Sequence, residues 1–294
     1  MGFKFDKAFL RNSLYLLLLS GFIFTLGFGV RADMLKYDYI FEFDSYYRAR
    51  IVKLLLQNDG LLPAQDPGNF APGLDTGHAR LVELIGYNLY KLLYGSEYDQ
   101  GKWLLDKLAL AKLLPAVFGA LTAVALFFFM REVSGNFGGV TAGILAAVVP
   151  AFVYRTMGGW FEDHSLGFLW MVVGFAFLAR AMKSEKVSSS VLFNSLAAVS
   201  FFVLMFYTWA AYILIPPIVA IYFVLLTYSD AVKPSLQQFF SEKPVRKKYF
   251  FFILSVFVLL ATIPMLVWVN PSGFPDGGAK NSFGLFQWGV EAAI

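Results

Sequence analysis

The chain has 294 residues, of which 58% are hydrophobic and 15% charged, and its formal net charge is +4. Soluble domains carry about 25% charged residues, so this composition excludes an ordinary soluble enzyme and predicts a polytopic membrane protein. The absence of cysteine excludes disulfides and thiolate metal sites, and the small net charge gives no indication of a nucleic-acid partner.

Runs of residues without charge locate the candidate membrane spans. A spanning helix needs about 20 apolar residues. The uncharged run over 187–229 is about twice that length, so it divides into two spans near Tyr207–Tyr212. The sequence therefore predicts an all-α fold with about seven transmembrane helices. Their expected bounds are 12–30, 108–130, 136–154, 164–182, 190–207, 211–228 and 249–269.

The first outer loop is the longest predicted connection and covers 31–107. Loops of this length without structure of their own are uncommon unless they are functional. Within it, 45–57 has apolar residues on one side and basic residues elsewhere, which is typical of a helix on the membrane surface. A second surface helix is predicted over 78–94. The proline- and glycine-rich stretch 58–77 predicts turns between them.

The second and third spans join through a tight inner turn over 131–138. Glycine and alanine are frequent over 135–147, and small residues permit close contact between helices.

The orientation follows from the distribution of Lys and Arg. With the N-terminus inside, the inner segments carry an excess of basic residues, whereas the outer segments hold more acidic than basic residues. We therefore predict a multi-pass protein of the cell membrane with its N-terminus inside.

Two acidic segments are the best candidates for chemistry. Glu162, Asp163 and His164 lie between two long uncharged runs, and Asp44 follows the first span; both segments fall on the predicted outer face. Ionisable groups in such surroundings are costly and therefore functional candidates. Carboxylates with one imidazole suit a divalent cation such as Mn²⁺ or Mg²⁺, and the histidine favours Mn²⁺.

Local conformation decides which of these residues face a metal. In an extended loop Glu162 and His164 point the same way and Asp163 the opposite way, whereas a helix starting here makes Asp163 a competing ligand. Glu162 and Asp163 also suit the N-terminal dipole of the fourth span. Asp44 fits a helix cap as well as it fits a ligand. Arg155 fits a headgroup anchor or a partner of these acids better than a catalytic group.

Several segments resemble the catalytic subunit of oligosaccharyltransferases. Glu42–Arg48, just after the first span, is similar to the first acidic motif of that family. Gly159–Ser165 is similar to the second, which ends in histidine in some archaeal members. Thr208–Ile213 resembles the family's Trp-Gly-Gly-Tyr segment with both glycines replaced by alanine, and Phe70–Gly73 resembles its aromatic-any-Pro-Gly turn.

The resemblance implies a GT-C type membrane glycosyltransferase. Such enzymes transfer an oligosaccharide from a polyprenyl or dolichyl (pyro)phosphate carrier to Asn of Asn-X-Ser/Thr sequons. By alignment of the motifs, Asp44, Glu162 and His164 hold Mn²⁺ or Mg²⁺, with Asp44 and Glu162 catalytic and Asp163 a neighbour. Arg155 is a candidate contact for the lipid phosphate. The implied partners are the lipid-linked donor, an acceptor protein with the sequon, and membrane lipids.

The family also has later spans and an outer domain whose Trp-Trp-Asp-Tyr-Gly motif reads the sequon. That motif does not occur in this sequence. We therefore expect 1–294 to form a GT-C transmembrane domain without the sequon-binding domain, as the front of a longer protein or a shortened relative.

Two alternatives to this function stay open. Another GT-C enzyme that uses a lipid-phosphate sugar would not need Glu162 and His164. A non-catalytic transporter or binding subunit would place charged residues inside its spans.

Overall fold

A computed structural model describes residues 7–37, 39–63, 80–95, 108–183, 188–219 and 221–222. Within these ranges the chain is helical and contains no β-strand. The helices, in chain order, are α1 (Lys7–Ala32), α2 (Phe43–Gln57), α3 (Leu81–Tyr94), α4 (Leu108–Val148), α5 (Pro150–Thr156), α6 (Asp163–Lys183) and α7 (Ser189–Phe206), with 3-10 helices at Asp33–Lys36 and Ala210–Leu214.

Four helices of the described part are long and apolar enough to cross a membrane, and they lie in α1, α4, α6 and α7. This agrees with the predicted all-α membrane protein. The number of seven spans stays a prediction, because 211–228 is described only in part and 249–269 lies outside the described residues.

α4 consists of two helical segments joined at Gly135. This glycine has φ 77° and ψ −173°, a conformation that residues with a Cβ rarely adopt. The second segment runs back along the first at close range: a Cβ added to Gly139 would lie 2.7 Å from the carbonyl oxygen of Phe127, and one added to Gly143 would lie 2.9 Å from the Cβ of Phe127. The reversal falls inside the turn predicted over 131–138.

The third predicted span, 136–154, is not a single helix. α4 ends at Val148, Val149 is extended with φ −60° and ψ 120°, and α5 begins at Pro150. A proline disfavours helical conformation at the preceding residue and has no N–H for the carbonyl four residues back. The break redirects the chain into the short helix that leads to the acidic loop.

Apolar clusters hold the first part of the chain together. Ile23 of α1 packs with Phe127 and Ala147 of α4. Val52 of α2 belongs to a second cluster that also contains residues of α3, α4 and α6. α2 is consequently buried on more sides than a helix lying on a membrane surface; its buried residues are Ser45, Ala49, Ile51, Val52, Leu54, Leu55 and Leu56.

The described residues divide into two compact units, one within 1–176 and the other within 177–294. Both acidic segments belong to the first unit. The second unit contains the segment Thr208–Ile213, where the hydroxyl of Thr208 donates to the carbonyl of Leu204 at 2.7 Å and the ring of Tyr212 lies edge-on to Phe206.

Candidate metal centre

Backbone hydrogen bonds bring the two acidic segments side by side. The N–H of Phe41 donates to the carbonyl oxygen of Gly159 at 2.9 Å, immediately before Glu42 on one segment and shortly before Glu162 on the other. Gly159 has φ +88°, and a Cβ there would lie 3.0 Å from the ring of Phe41. Glycine is therefore required at position 159 both for its conformation and for the close approach of the two segments.

Two further hydrogen bonds fix the loop that carries Glu162. The N–H of Gly158 donates to the carbonyl of Arg31 at 3.1 Å, and the N–H of Gly159 donates to the carbonyl of Lys112 at 3.0 Å. The loop is thus tied to the end of α1 and to the first turns of α4, which are rigid elements. This arrangement limits how far Glu162 can move.

The carboxylates converge on Glu162. Oxygen atoms of Glu42, Asp44 and Glu162 all lie within 4.8 Å of one another, and ligand atoms of Glu162, Asp163 and His164 form a second group of the same size. Glu162 is common to both groups and is 3% exposed. The structure therefore places Asp44 and His164, predicted from separate motifs, around one shared carboxylate.

Glu42 is a site residue that the sequence interpretation missed. It has φ 72° and ψ 148°, a region that costs a residue other than glycine about 1–3 kcal/mol. Its side chain accepts a hydrogen bond from the N–H of Asp44 at 3.2 Å and so caps α2. The alternative that Asp44 is the cap is wrong, because Asp44 lies in the first turn with its side chain exposed. The acid-any-acid spacing of Glu42 and Asp44 could have identified Glu42 from the sequence.

The protonation of this cluster is uneven. A hydrogen bond to Glu162, together with burial and the charge of Glu162, raises the pKa of Glu42 to about 7. Burial acts to raise the pKa of Glu162 as well, but hydrogen bonds from His164 and Glu42 outweigh it and lower that pKa to about 2. Near neutral pH Glu162 is therefore an anion.

Asp163 is engaged by arginines rather than by the acidic cluster alone. The guanidinium of Arg80 contacts its carboxylate directly, and Nη2 of Arg48 lies 3.5 Å from the same oxygen. Because α6 begins at Asp163, the chain leaves the extended conformation here, and the side chain faces α2 and the start of α3. Its charge is largely neutralised by these contacts, which distinguishes it from Glu162.

The same arginines bind a second buried acid. Nη1 of Arg48 lies 2.7 Å from Oε1 of Glu83, and Oε2 of Glu83 accepts from the backbone N–H of Arg80. The side chain of Glu83 is fully buried. Burial and the nearby charge of Arg48 lower the pKa of Arg80 to about 10. This network joins α2, the N-terminus of α3 and α6 behind the acidic cluster, and sequence spacing gave no sign of it.

Arg155 lies on the approach to the loop. It is exposed, and its guanidinium carbon is 5.4 Å from the ring centroid of Trp160, a buried residue of the loop. The ring of Trp160 also packs against Tyr154 at 4.6 Å. The segment Phe70–Gly73 lies outside the described residues.

The donor set fits a hard divalent cation. Several carboxylate oxygens and one imidazole are the ligands that Mn²⁺ takes, and the oxygens alone suit Mg²⁺. Arg48 and Arg80 pair with Asp163, and the charge of Arg80 also acts on Asp44. Carboxylates this close oppose ionisation of one another, and a bound cation would remove that cost.

Comparison with protein families identifies the chain. Residues 18–290 match the family model described as oligosaccharyl transferase STT3, N-terminal. The chain belongs to the STT3 family. The match covers both acidic segments and nearly all the described residues of this STT3 chain.

Its similarity to curated STT3 proteins is distant. The STT3 subunit of the Saccharomyces cerevisiae dolichyl-diphosphooligosaccharide–protein glycosyltransferase is 24% identical over 196 residues, covering 64% of this chain and 26% of that protein. The Dictyostelium discoideum subunit is 23% identical over 297 residues, covering 92% of this chain and 40% of that protein. The STT3 chain thus spans less than half the length of these relatives.

A solved archaeal structure shares the fold. The oligosaccharyltransferase AglB from Archaeoglobus fulgidus, in complex with an inhibitory peptide and a dolichol-phosphate, superposes with a TM-score of 0.61 at 17% identity, covering 96% of this chain and 37% of that one. A crystal structure of the same archaeal protein with zinc and sulfate gives a TM-score of 0.59 at 18% identity, covering 94% and 39%. At identities this low, the structural similarity shows a common fold and nothing more.

Proposed function

We propose that this STT3 chain carries the donor-binding and metal-binding side of protein N-glycosylation. The reaction transfers an oligosaccharide from a polyprenyl or dolichyl (pyro)phosphate carrier to the amide nitrogen of Asn in Asn-X-Ser/Thr sequons. The observation that carries the proposal is the convergence of Asp44 and His164 on Glu162, within a chain of the STT3 family.

Asp44, Glu162 and His164 are the proposed ligands of Mn²⁺ or Mg²⁺, with Asp44 and Glu162 as catalytic residues. When bound, such a cation balances the negative charge of the departing phosphate. Glu42 supplies a further oxygen next to these ligands, whereas Asp163 is held by Arg48 and Arg80. The zinc in one crystal structure of the archaeal protein supports a metal site in this fold, since zinc also takes imidazole and carboxylate ligands.

Asp44 is the proposed residue that faces the acceptor. It is exposed in the first turn of α2, and it lies within 4.8 Å of the ligand atoms of Glu42 and Glu162. A carboxylate in this place can accept a hydrogen bond from the amide nitrogen of the acceptor Asn. Glu162 is buried and keeps its charge through its hydrogen bonds, which suits a ligand that must stay in place.

Arg155 is the proposed contact for the phosphate of the lipid donor. Its exposed guanidinium lies over Trp160, which restricts it to one side of the loop. Guanidinium groups bind phosphate oxygens through paired, charge-assisted hydrogen bonds. The dolichol-phosphate bound to the archaeal protein supports a lipid phosphate as the donor class.

The proposed setting is a GT-C transmembrane domain with seven spans. The chain is surrounded by membrane lipids. Its N-terminus lies on the inner side of the cell membrane, and the acidic cluster lies at the outer face. The excess of basic residues in the predicted inner segments supports this orientation. The first outer loop then carries α2 and α3.

The experiment measures metal-dependent retention of a lipid-linked oligosaccharide by the whole chain in nanodiscs. We expect retention in Mn²⁺, its loss in EDTA, and its loss in Glu162→Ala and Asp44→Ala. Dolichyl phosphate without a sugar serves as the competitor. Equal retention with and without metal contradicts the proposal. Loss in Asp44→Ala but not in Glu162→Ala favours the other GT-C class instead.

A further inference from the structure

The end of α1 contains an arginine that the proposed chemistry does not use. Arg31 is fully buried, and the ring of Phe152 lies 5.1 Å from its guanidinium carbon. Its nitrogens donate to four oxygens: Nε to the hydroxyl of Thr156 at 2.8 Å, Nη1 to the carbonyls of Gly27 at 2.8 Å and Ala147 at 2.9 Å, and Nη2 to the carbonyl of Ala146 at 3.2 Å. None of these partners is a carboxylate, so among the described residues Arg31 is held by uncharged acceptors.

The break between α4 and α5 explains two of these acceptors. In a continuous helix the carbonyl of Ala146 would accept from the N–H of residue 150, but Pro150 has none. The carbonyl of Ala147 loses its helical donor because Val149 is extended. The last regular bond of α4 runs from the N–H of Val149 to the carbonyl of Leu145 at 2.8 Å. A buried carbonyl without a donor is costly, and a cation at a helix C-terminus is favourable.

The remaining contacts connect Arg31 to the acidic loop. Thr156 is the last residue of α5, and its hydroxyl also donates to the carbonyl of Phe152 at 2.6 Å. The carbonyl of Arg31 accepts from the N–H of Gly158, just beyond that helix. Arg31 therefore contacts the chain on both sides of α5, and Glu162 follows a few residues later.

We propose that Arg31 is a positioning residue, which fixes the direction of α5 across the proline break and so holds Glu162 opposite Asp44. The planar guanidinium fork reaches acceptors on α1, α4 and α5 at once, whereas a lysine ammonium is a single point. Only the last link, from the position of Glu162 to metal affinity, rests on the proposed function.

Gly119 of α4 provides a second way to displace the same group. A Cβ at position 119 would collide with Nε of Arg31 and lie 2.7 Å from the Cβ of Thr156. A Cβ at Gly29 of α1 would meet nothing within 4 Å. Gly119→Ala and Gly29→Ala are thus a matched pair in which only the first disturbs the guanidinium.

The first measurement follows the angle at the break. The chain has no cysteine, so Phe137→Cys and Tyr154→Cys, at positions 85% and 53% exposed, carry spin labels for pulsed distance measurements. We expect one narrow distance with Arg31 present. Arg31→Met and Arg31→Lys should broaden the distance distribution, since each leaves carbonyls at the end of α4 without donors. In the double variant Arg31→Met with Pro150→Ala, residue 150 regains a backbone N–H, so α4 and α5 can form one continuous helix. The distance distribution should then become narrow again, centred near about 26 Å.

The second measurement is Mn²⁺ affinity in the same variants of the 294-residue chain. Arg31→Met and Gly119→Ala should weaken it roughly tenfold, as changes to residues behind metal ligands do, while Gly29→Ala leaves it unchanged. If the parent chain binds no Mn²⁺, the proposed function fails, and the distances still decide the role of Arg31. A narrow, parent-like distance in both Arg31→Met and Gly119→Ala would overturn the inference.

Discussion

A carboxyl oxygen of Glu42 and one of Glu162 lie within 4.8 Å of each other, although the two residues come from separate segments of the chain. The strained backbone of Glu42 and the hydrogen bond from Phe41 to Gly159 enforce this contact. Two acids held this close cannot both ionise at low cost unless a cation joins them. The pair is therefore the part of the cluster whose energy depends most on pH.

The stability of the metal-free chain should fall as the pH rises between about 4.5 and 7. The pKa of Glu42 is raised from 4.5 to about 7 on folding, so the folded state binds more protons in this window. Its contribution is complete below the unfolded pKa and lost as the pH passes the folded pKa. Thermal unfolding in EDTA across this range measures the fall. Glu42→Gln should flatten it, and an equal slope in that variant would contradict the assignment.

Metal affinity should depend on Asp44, Glu162 and His164 individually. Removal of any one to Ala leaves an incomplete ligand set and should weaken Mn²⁺ binding by more than about tenfold. Asp163→Ala should weaken it less, because Arg48 and Arg80 hold that carboxylate. Electron paramagnetic resonance of free Mn²⁺ gives the affinities. If Glu162→Ala leaves Mn²⁺ affinity unchanged while Asp163→Ala abolishes binding, then Asp163 is the ligand and Glu162 the neighbour.

The sequence predicted the membrane helices of the described residues well because such helices depend on local composition. Uncharged runs of sufficient length indicate membrane helices, and only one residue separates Glu162 from His164. The role of Asp163 was open, because it depends on Arg48 and Arg80, which lie on distant elements. Arg31 was missed for a related reason: a basic residue at the end of a span is usually an interface anchor, and three of its four acceptors come from other helices.

Some of the missed features were visible in local patterns. Pro150 predicts the break in the third span, since a proline inside a helical run disfavours helix at the residue before it. Glu42 stands two residues before Asp44, which is the spacing used for the second motif. The strained conformation of Glu42 was not visible, because it follows from the packing of residues 41 and 159 against each other.

Single cysteines should report the orientation of the first unit. The native chain contains none, so each introduced thiol gives an independent signal. Asn58→Cys, after α2, should react with an impermeant reagent from outside whole cells, and Ser134→Cys, beside the reversal at Gly135, should react only after permeabilisation. We expect this because basic residues are in excess in the predicted inner segments. Labelling of Ser134→Cys from outside would overturn the predicted topology.

The buried pair between Arg48 and Glu83 should contribute far more to stability than the exposed pair between Lys36 and Asp33. The side chains of Arg48 and Glu83 are 14% and 0% exposed, whereas those of Lys36 and Asp33 are 56% and 64% exposed. Glu83→Gln leaves Arg48 beside Arg80 with one acid fewer, and breaking a buried pair costs about 3–5 kcal/mol.

The matched variant Asp33→Asn should leave the free energy of unfolding unchanged, because exposed pairs are screened by solvent. Denaturant titrations in mixed micelles compare the two variants with the parent chain. Glu83→Gln should also weaken Mn²⁺ binding. Arg48 and Arg80 would then have Asp163 as their only acid in this network, and their stronger attraction for it would shift the start of α6. If Glu83→Gln is as stable as Asp33→Asn, the network does not hold α2 and α3 against the acidic loop.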